Sequence, residues 1–168
     1  MPLPEGFVIR RASTADADTL VAHRRAMFAD MGYSDHARLT SMSAKFRVWL
    51  LKHMNSGDYH AWLVSAPDGS IAAGAGLWLM DWPPHMIGRS GQRGNILNVY
   101  TDQSFRRRGL ARELMEAVLQ WCGENGIDTI ILHASPAGRS LYESMGFAPT
   151  NEMRLRLAGS GADSEKRS

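Results

Sequence analysis

Cysteine is nearly absent: the 168 residues contain one, Cys122. A single thiol excludes an intramolecular disulfide and any zinc site built from several cysteines. Its place beside Trp121, in an apolar-periodic stretch, suits a packed thiol better than a nucleophile. Lysine is scarce too, confined to Lys45, Lys52 and Lys166, so arginine carries the positive charge. With 19 basic against 17 acidic residues the formal net charge is only +2. So even a balance argues against a dedicated nucleic-acid binder, whose affinity comes from neutralising phosphates. No apolar run reaches transmembrane length, and Met1-Pro2-Leu3-Pro4-Glu5 lacks the shape of a signal peptide. The expectation is a soluble cytoplasmic protein with no membrane and no nucleic-acid partner. The familiar phosphate loops are missing as well. There is no G-x-x-x-x-G-K-[ST], and Gly74-Ala75-Gly76-Leu77-Trp78-Leu79 lacks the third glycine of the dinucleotide fingerprint.

What remains is an ordinary globular composition, 44% hydrophobic and 21% charged, at a length that suits one domain. Residues 1–157 are expected to form it, and the small, polar residues 158–168 to be a disordered tail. The periodicities predict a strand over 7–11 and a helix from the Ser13-Thr14-Ala15-Asp16 cap to about Met31. A second helix is predicted over 42–54. Strands over 59–66 and 71–80 flank the turn Pro67-Asp68-Gly69-Ser70. A Pro- and Gly-rich loop is predicted over 81–94, then a strand over 96–101, a helix over about 109–123 and a strand over 129–133. A short helix over about 136–145 and a last strand over 153–157 complete the chain. The order β-α-α-β-β-β-α-β-α-β predicts an α/β fold: a mixed, mostly antiparallel sheet flanked by helices, with a parallel crossover late in the chain.

The most informative segment is Thr101-Asp102-Gln103-Ser104-Phe105-Arg106-Arg107-Arg108-Gly109-Leu110-Ala111-Arg112. It links a predicted strand to an amphipathic helix on which Leu110, Leu114, Ala117, Val118 and Trp121 recur at helical spacing. Amides freed at a helix start, the helix dipole and nearby guanidinium groups together suit a polyphosphate. A solvated arginine face is the plainer alternative. Downstream stands Leu141-Tyr142-Glu143-Ser144-Met145-Gly146-Phe147.

Taken together, the two segments resemble GNAT-type N-acetyltransferases, in which a [QR]-x-x-G-x-[GA] loop cradles the pyrophosphate of acetyl-CoA. Arg106-Arg107-Arg108-Gly109-Leu110-Ala111 matches that loop, and Leu141 to Phe147 matches the family's Leu-Tyr-Glu-x-x-Gly-Phe signature. The resemblance implies the GNAT-like fold, with the strand at Val99 to Thr101 splayed from the one at Ile130 to His133. It implies acetyl-CoA as co-substrate and no metal. By the same resemblance, Val99, Tyr100 and Thr101 line the pantetheine arm, whose amides pair with backbone groups of Val99 and Thr101. A backbone amide there polarises the thioester carbonyl. The amides of Arg107 to Arg112 take the pyrophosphate, and the arginine side chains, Arg106 included, stand near the phosphates. Tyr142 becomes the general acid for the CoA thiolate, its alternative being a core aromatic.

The match departs from the family at three points. Ser135 stands where many members carry an asparagine that contacts the cofactor. Arg107 replaces a glycine of the loop. The strand before the loop carries no carboxylate, so the general base must come from elsewhere or from water. Asp81 and His85 are the nearest ionisable candidates along the sequence, although a lone loop histidine is more often a surface residue. The implied activity is acetyl transfer to a primary amine of a small molecule (an amino acid, amine metabolite or antibiotic) by direct attack in a ternary complex. Acetylation of protein lysines or N-termini, and a non-catalytic acyl-CoA sensor, are the alternatives. A homodimer is compatible with the resemblance, but no residue marks an interface.

Overall fold

The computed structural model describes residues 2–157. They fall into two compact units, one ending at His133 and the other beginning at Ala134. The expected tail over 158–168 lies outside the described residues.

The first unit is built on a five-stranded sheet in chain order: β1 (Val8–Arg11), β2 (Tyr59–Ser65), β3 (Ile71–Asp81), β4 (Gln92–Thr101) and β5 (Ile130–Leu132). Successive pairs are antiparallel except β4 with β5, which is parallel. A parallel neighbour needs a crossover, and α3 (Leu110–Glu124) supplies it. The helices α1 (Ala17–Asp30) and α2 (His36–Ser56) connect β1 to β2. Leu20, Phe46 and Leu50 from these helices bury against Tyr59, Ala61 and Leu63 of β2. On α3, Leu110, Leu114, Met115, Val118 and Cys122 are buried. Burial pushes the Cys122 thiol up to about 11, so it stays protonated and inert.

Several boundaries differ from the sequence reading for physical reasons. The second helix starts six residues earlier than predicted, because the Asp35 carboxylate caps it by accepting from the Arg38 amide at 3.0 Å. The stretch predicted as a loop over 81–94 is shorter. Asp81 pairs with Gln92 and Met80 with Arg93, so the turn covers 82–91 only. Gly94 reads as a breaker but is a packing glycine: a Cβ there would lie 3.0 Å from Leu77 and 3.4 Å from Ile127.

The second unit contains α4 (Arg139–Ser144). The strand predicted over 153–157 does not form, and residues 151–157 take no regular structure. Met153 and Leu155 are 95% and 83% exposed, so their alternation with arginine buries nothing. A strand is stabilised by its ladder, and apolar alternation alone does not make one.

Two histidines of the first unit tie stability to pH. Burial holds the His23 imidazole below the ordinary histidine range, with Asp102 opposing weakly. Burial and the adjacent Arg11 do the same for His60, with Asp58 opposing. A folded-state value below the unfolded one means that the unfolded chain binds more protons at mildly acid pH. Stability is then complete above about pH 6.5 and is lost as pH falls below it. Scanning calorimetry is expected to show a constant Tm between pH 7 and 8 and a falling one from about pH 6.5 to 5. The fall should be shallower in His23→Gln; a flat Tm in the parent protein would refute the assignment.

Candidate functional site

The β3–β4 ladder contains one irregularity, at the centre of the site. Gly76 pairs with Leu97 and Gly74 with Tyr100, so Ala75 alone opposes two residues, Asn98 and Val99. This is a β-bulge on β4, with Asn98 in the left-handed region at φ 58°. Bulges of this kind normally place glycine there, and asparagine is among the few other residues that tolerate it.

The bulge changes which way the backbone faces. In a strand, successive amides alternate between the two neighbours. The Gly94 amide donates to Thr129 O, next to β5, at 3.0 Å. Continued without interruption, that phase would turn Asn98 to the β5 side and Val99 to β3. Beyond the bulge, however, the Asp102 amide donates to Ala72 O at 2.9 Å, so Tyr100 faces β3 and Val99 and Thr101 face away from it. On that side β5 has ended: its ladder with β4 covers Gly94 to Ile96 only. The strands part where β4 turns Val99 and Thr101 outward, as the sequence reading expects of a splayed pair.

The loop that follows is shaped by local bonds. Asp102 accepts from the Ser104 amide at 2.9 Å and from its hydroxyl at 2.6 Å, which fixes a short 3-10 turn over Gln103–Phe105. Arg107 and Gly109 then take positive φ, 61° and 79°. Gly109 precedes α3 and provides no side-chain cap. Successive amides from Arg107 to Ala111 therefore meet no backbone acceptor among the described residues, as is usual for a helix start. Such a curl of free amides before a helix is an anion cradle.

The guanidinium groups are less available than their number suggests. Arg106 is ion-paired to Asp30 in the last turn of α1, and its Nε donates to Thr101 O at 3.0 Å. Gln103 also donates to Asp30, at 3.2 Å. A carboxylate at a helix C-terminus opposes the dipole, and these two partners offset it. Arg108 reaches back to Ser104 O at 3.4 Å. Arg106 is thus a brace between α1 and the loop, and the free amides carry the polarity of the cradle.

The two candidate bases fall elsewhere. Asp81 closes the hairpin opposite Gln92, six residues before Asn98, or about 20 Å along the strand. His85 lies in the same exposed turn, with its Nδ1 accepting from the Ile87 amide at 3.2 Å. The structure does not bring either to the bulge. What it brings there instead is a group that motif reading missed, namely Arg24, Tyr59 and His23. The only sequence signal for them was helical or strand periodicity, which reads as core.

Ser135 and Tyr142 belong to the second unit and meet there around Gly138. The Ser135 hydroxyl and carbonyl both accept from the Gly138 amide, at 3.3 and 3.0 Å, so Ser135 serves as the cap of the turn entering α4. A Cβ on Gly138 would lie 2.9 Å from the Tyr142 ring, so the glycine makes room for it. Phe147 packs edge-on to that ring at 6.0 Å. Burial raises the Tyr142 phenol above its ordinary value, which keeps it a proton donor.

Comparison with known proteins identifies the fold. The family model described as "Acetyltransferase (GNAT) family" matches residues 24–147. The chain belongs to the GNAT acetyltransferase family. The acetyltransferase is 38% identical to a GCN5-related N-acetyltransferase from Ralstonia eutropha JMP134, over 92% of this chain and 100% of that one, with a TM-score of 0.85. It is 25% identical to an acetyltransferase from Clostridium acetobutylicum solved with acetyl-CoA, over 93% and 99% of the two chains, with a TM-score of 0.84. It is also 31% identical to human N-acetyltransferase 8 over 64 residues, 36% of this chain and 28% of the human protein. The match thus spans well under two thirds of that human relative.

The residues present fit the donor of this family. A pantetheine arm needs strand-like backbone partners, and the turned-out groups of Val99 and Thr101 offer them. A pyrophosphate needs several neighbouring donors, and the amides from Arg107 to Ala111, which meet no backbone acceptor among the described residues, fit that need. Among the described residues no cluster of His, Cys, Asp and Glu could hold a metal ion. No described helix is long and apolar enough to cross a membrane.

Proposed function

We propose that this acetyltransferase moves an acetyl group from acetyl-CoA to a primary amine of a small molecule, by direct attack within a ternary complex. The observation that carries the reading is the bulge at Asn98, which turns the backbone of Val99 and Thr101 to the side where β5 has ended, the Thr101 carbonyl being met by Arg106 Nε. The donor thioester supplies the activated acyl group. The Val99 amide donates to its carbonyl oxygen and stabilises the negative charge that develops there. Tyr142, kept protonated by burial, donates to the departing thiolate. The amides of Arg107 to Ala111 hold the phosphates, the Arg112 amide being engaged by Gly109 O at 3.0 Å, and Cys122 takes no part.

The proton of the amine needs an acceptor, and β4 has no carboxylate. His23 is neutral at pH 7 but largely buried against Tyr100, with ring centroids 5.1 Å apart. Water is therefore the acceptor, and the amine attacks in its neutral form. Side chains of α1 wall this part of β4, His23 against Tyr100 and Arg24 against Asn98.

The test is incubation with acetyl-CoA and a panel of amino acids, amines and aminoglycosides, following thiol release and the acetylated product by mass spectrometry. Product from one class of small amine is expected, at a rate that rises with pH as the acceptor deprotonates. Acetylation of peptides alone would replace this reading with a protein-directed one. Stable acetyl-CoA binding without any thiol release would make the protein a sensor.

A further inference from the structure

We propose that Arg24, Asn98 and Tyr59 form a positioning device that sets the bulge of β4 and, through it, the direction of the Val99 amide. The proposal rests on the acetyl-transfer reading above. Asn98 is 7% exposed and both ends of its side-chain amide are engaged. Its oxygen accepts from Arg24 Nη1 at 2.6 Å and its Nδ2 donates to the Tyr59 hydroxyl at 3.0 Å. Arg24 comes from α1 and Tyr59 from β2, so the bulge residue is held by two elements that do not belong to its own ladder.

Each partner is itself fixed. The Arg24 guanidinium lies over the rings of Phe28 and Phe46, 5.0 and 4.6 Å from their centroids. Tyr59 is almost wholly buried, and its phenol is pushed up to about 12, mainly by burial. It is a neutral hydroxyl at any working pH. Its oxygen sits where a side chain at residue 76 would begin, 1.9 Å from the position of a Cβ on Gly76. The glycine next to the bulge on β3 thus makes room for the hydroxyl that holds the bulge on β4. Trp49 packs edge-on to the Tyr59 ring at 5.5 Å.

A glycine at residue 98 would accept the same backbone conformation more cheaply, since φ 58° strains any residue with a Cβ. A buried asparagine there has another use: it replaces conformational permission with a specified geometry. One residue of slip in β4 would return Val99 to β3 and take its amide from the gap. The network opposes that slip.

Four variants separate positioning from plain stability: Asn98→Gly, Asn98→Ala, Asn98→Asp and Tyr59→Phe. Asparagine to glycine keeps the left-handed backbone and removes both bonds. Asparagine to aspartate keeps the shape, the Arg24 contact and an acceptor for the Tyr59 hydroxyl. With an amine from the panel above, Asn98→Gly and Tyr59→Phe should lose about tenfold or more in kcat. Their Kd for acetyl-CoA should stay within about threefold, because the phosphate amides are untouched. Asn98→Asp should recover most of kcat. Hydrogen exchange gives a reading independent of turnover. Acetyl-CoA added to the parent protein without an amine should protect the Val99 and Thr101 amides, and protection at Val99 should be lost in Asn98→Gly. Wild-type kcat in both Asn98→Gly and Tyr59→Phe, or unchanged Val99 protection, would overturn the proposal. So would a kcat loss in Asn98→Asp as large as in Asn98→Ala. A parent protein that shows the protection but releases no thiol would instead overturn the transfer reading and leave the device standing.

Discussion

Replacing Gly76 with alanine is expected to lower Tm by about 10 °C. The new methyl group would lie 1.9 Å from the Tyr59 hydroxyl oxygen and 3.2 Å from the Leu97 carbonyl oxygen. The first distance is impossible, so either the Tyr59 ring leaves its place or β3 moves. Tyr59 is 2% exposed and packed among Phe46, Leu50 and Leu63, so the ring has little freedom to move. Overpacking of this kind costs about 1–3 kcal/mol. Separating the hydroxyl from Asn98 leaves a buried donor unsatisfied, for about 1–3 kcal/mol more. In a chain of this size each kcal/mol is worth roughly 2–4 °C. The contrast is Gly123, in the last turn of α3, where a Cβ would meet nothing within 4 Å. There alanine should be neutral or stabilising by up to about 1 kcal/mol. Calorimetry on both variants checks the pair, and equal effects would refute the steric assignment.

Tyr142→Phe should reduce kcat by about a hundredfold while leaving acetyl-CoA affinity nearly unchanged. The magnitude is that of losing a positioned proton donor. The substitution deletes one oxygen and preserves the ring, which Gly138 accommodates and Phe147 flanks. The phenol's raised value means that the parent protein keeps this donor through neutral and mildly alkaline pH. Steady-state kinetics beside calorimetric binding of acetyl-CoA would decide. An undiminished kcat would remove Tyr142 from the mechanism and leave it a packing residue.

The strand-to-helix junction proposed to hold the cofactor was legible in sequence as local structure, because it is one contiguous segment. The loop from Arg106 to Arg112 is one contiguous strand-to-helix junction, and its free amides follow from the helix start. The splay of β4 from β5 was legible by resemblance only. Its cause, Asn98 at positive φ, carries no mark in the sequence, since an asparagine in an apolar run reads as a surface position. Arg24 and Tyr59 were hidden for a different reason. They lie 74 and 39 residues from Asn98 along the chain, and only the folded sheet brings them to it. The candidate bases went the opposite way. Asp81 and His85 are close to β4 in sequence, but β4 is long, and they stand at its wrong end. Apolar alternation over 153–157 misled because it records the propensity of a segment and not the presence of a neighbour.

The outward-facing backbone of Val99 and Thr101, where Arg106 meets only the Thr101 carbonyl, has a consequence for how the protein is kept in solution. A strand edge left open is a liability, because any extended chain can add to it. Here the liability is brief, confined to Val99 and Thr101 past the last rung with β5 at Ile96, and it lies between a buried asparagine and a tightly turned loop. That brevity limits adventitious pairing, while an arm of matching length can still complete the ladder. On the proposed reading, a donor bound there would act as a missing piece of the fold, and ligand concentration would become a stability variable through mass action. An apo preparation and a donor-saturated one are then two different materials for purification, storage and crystallisation.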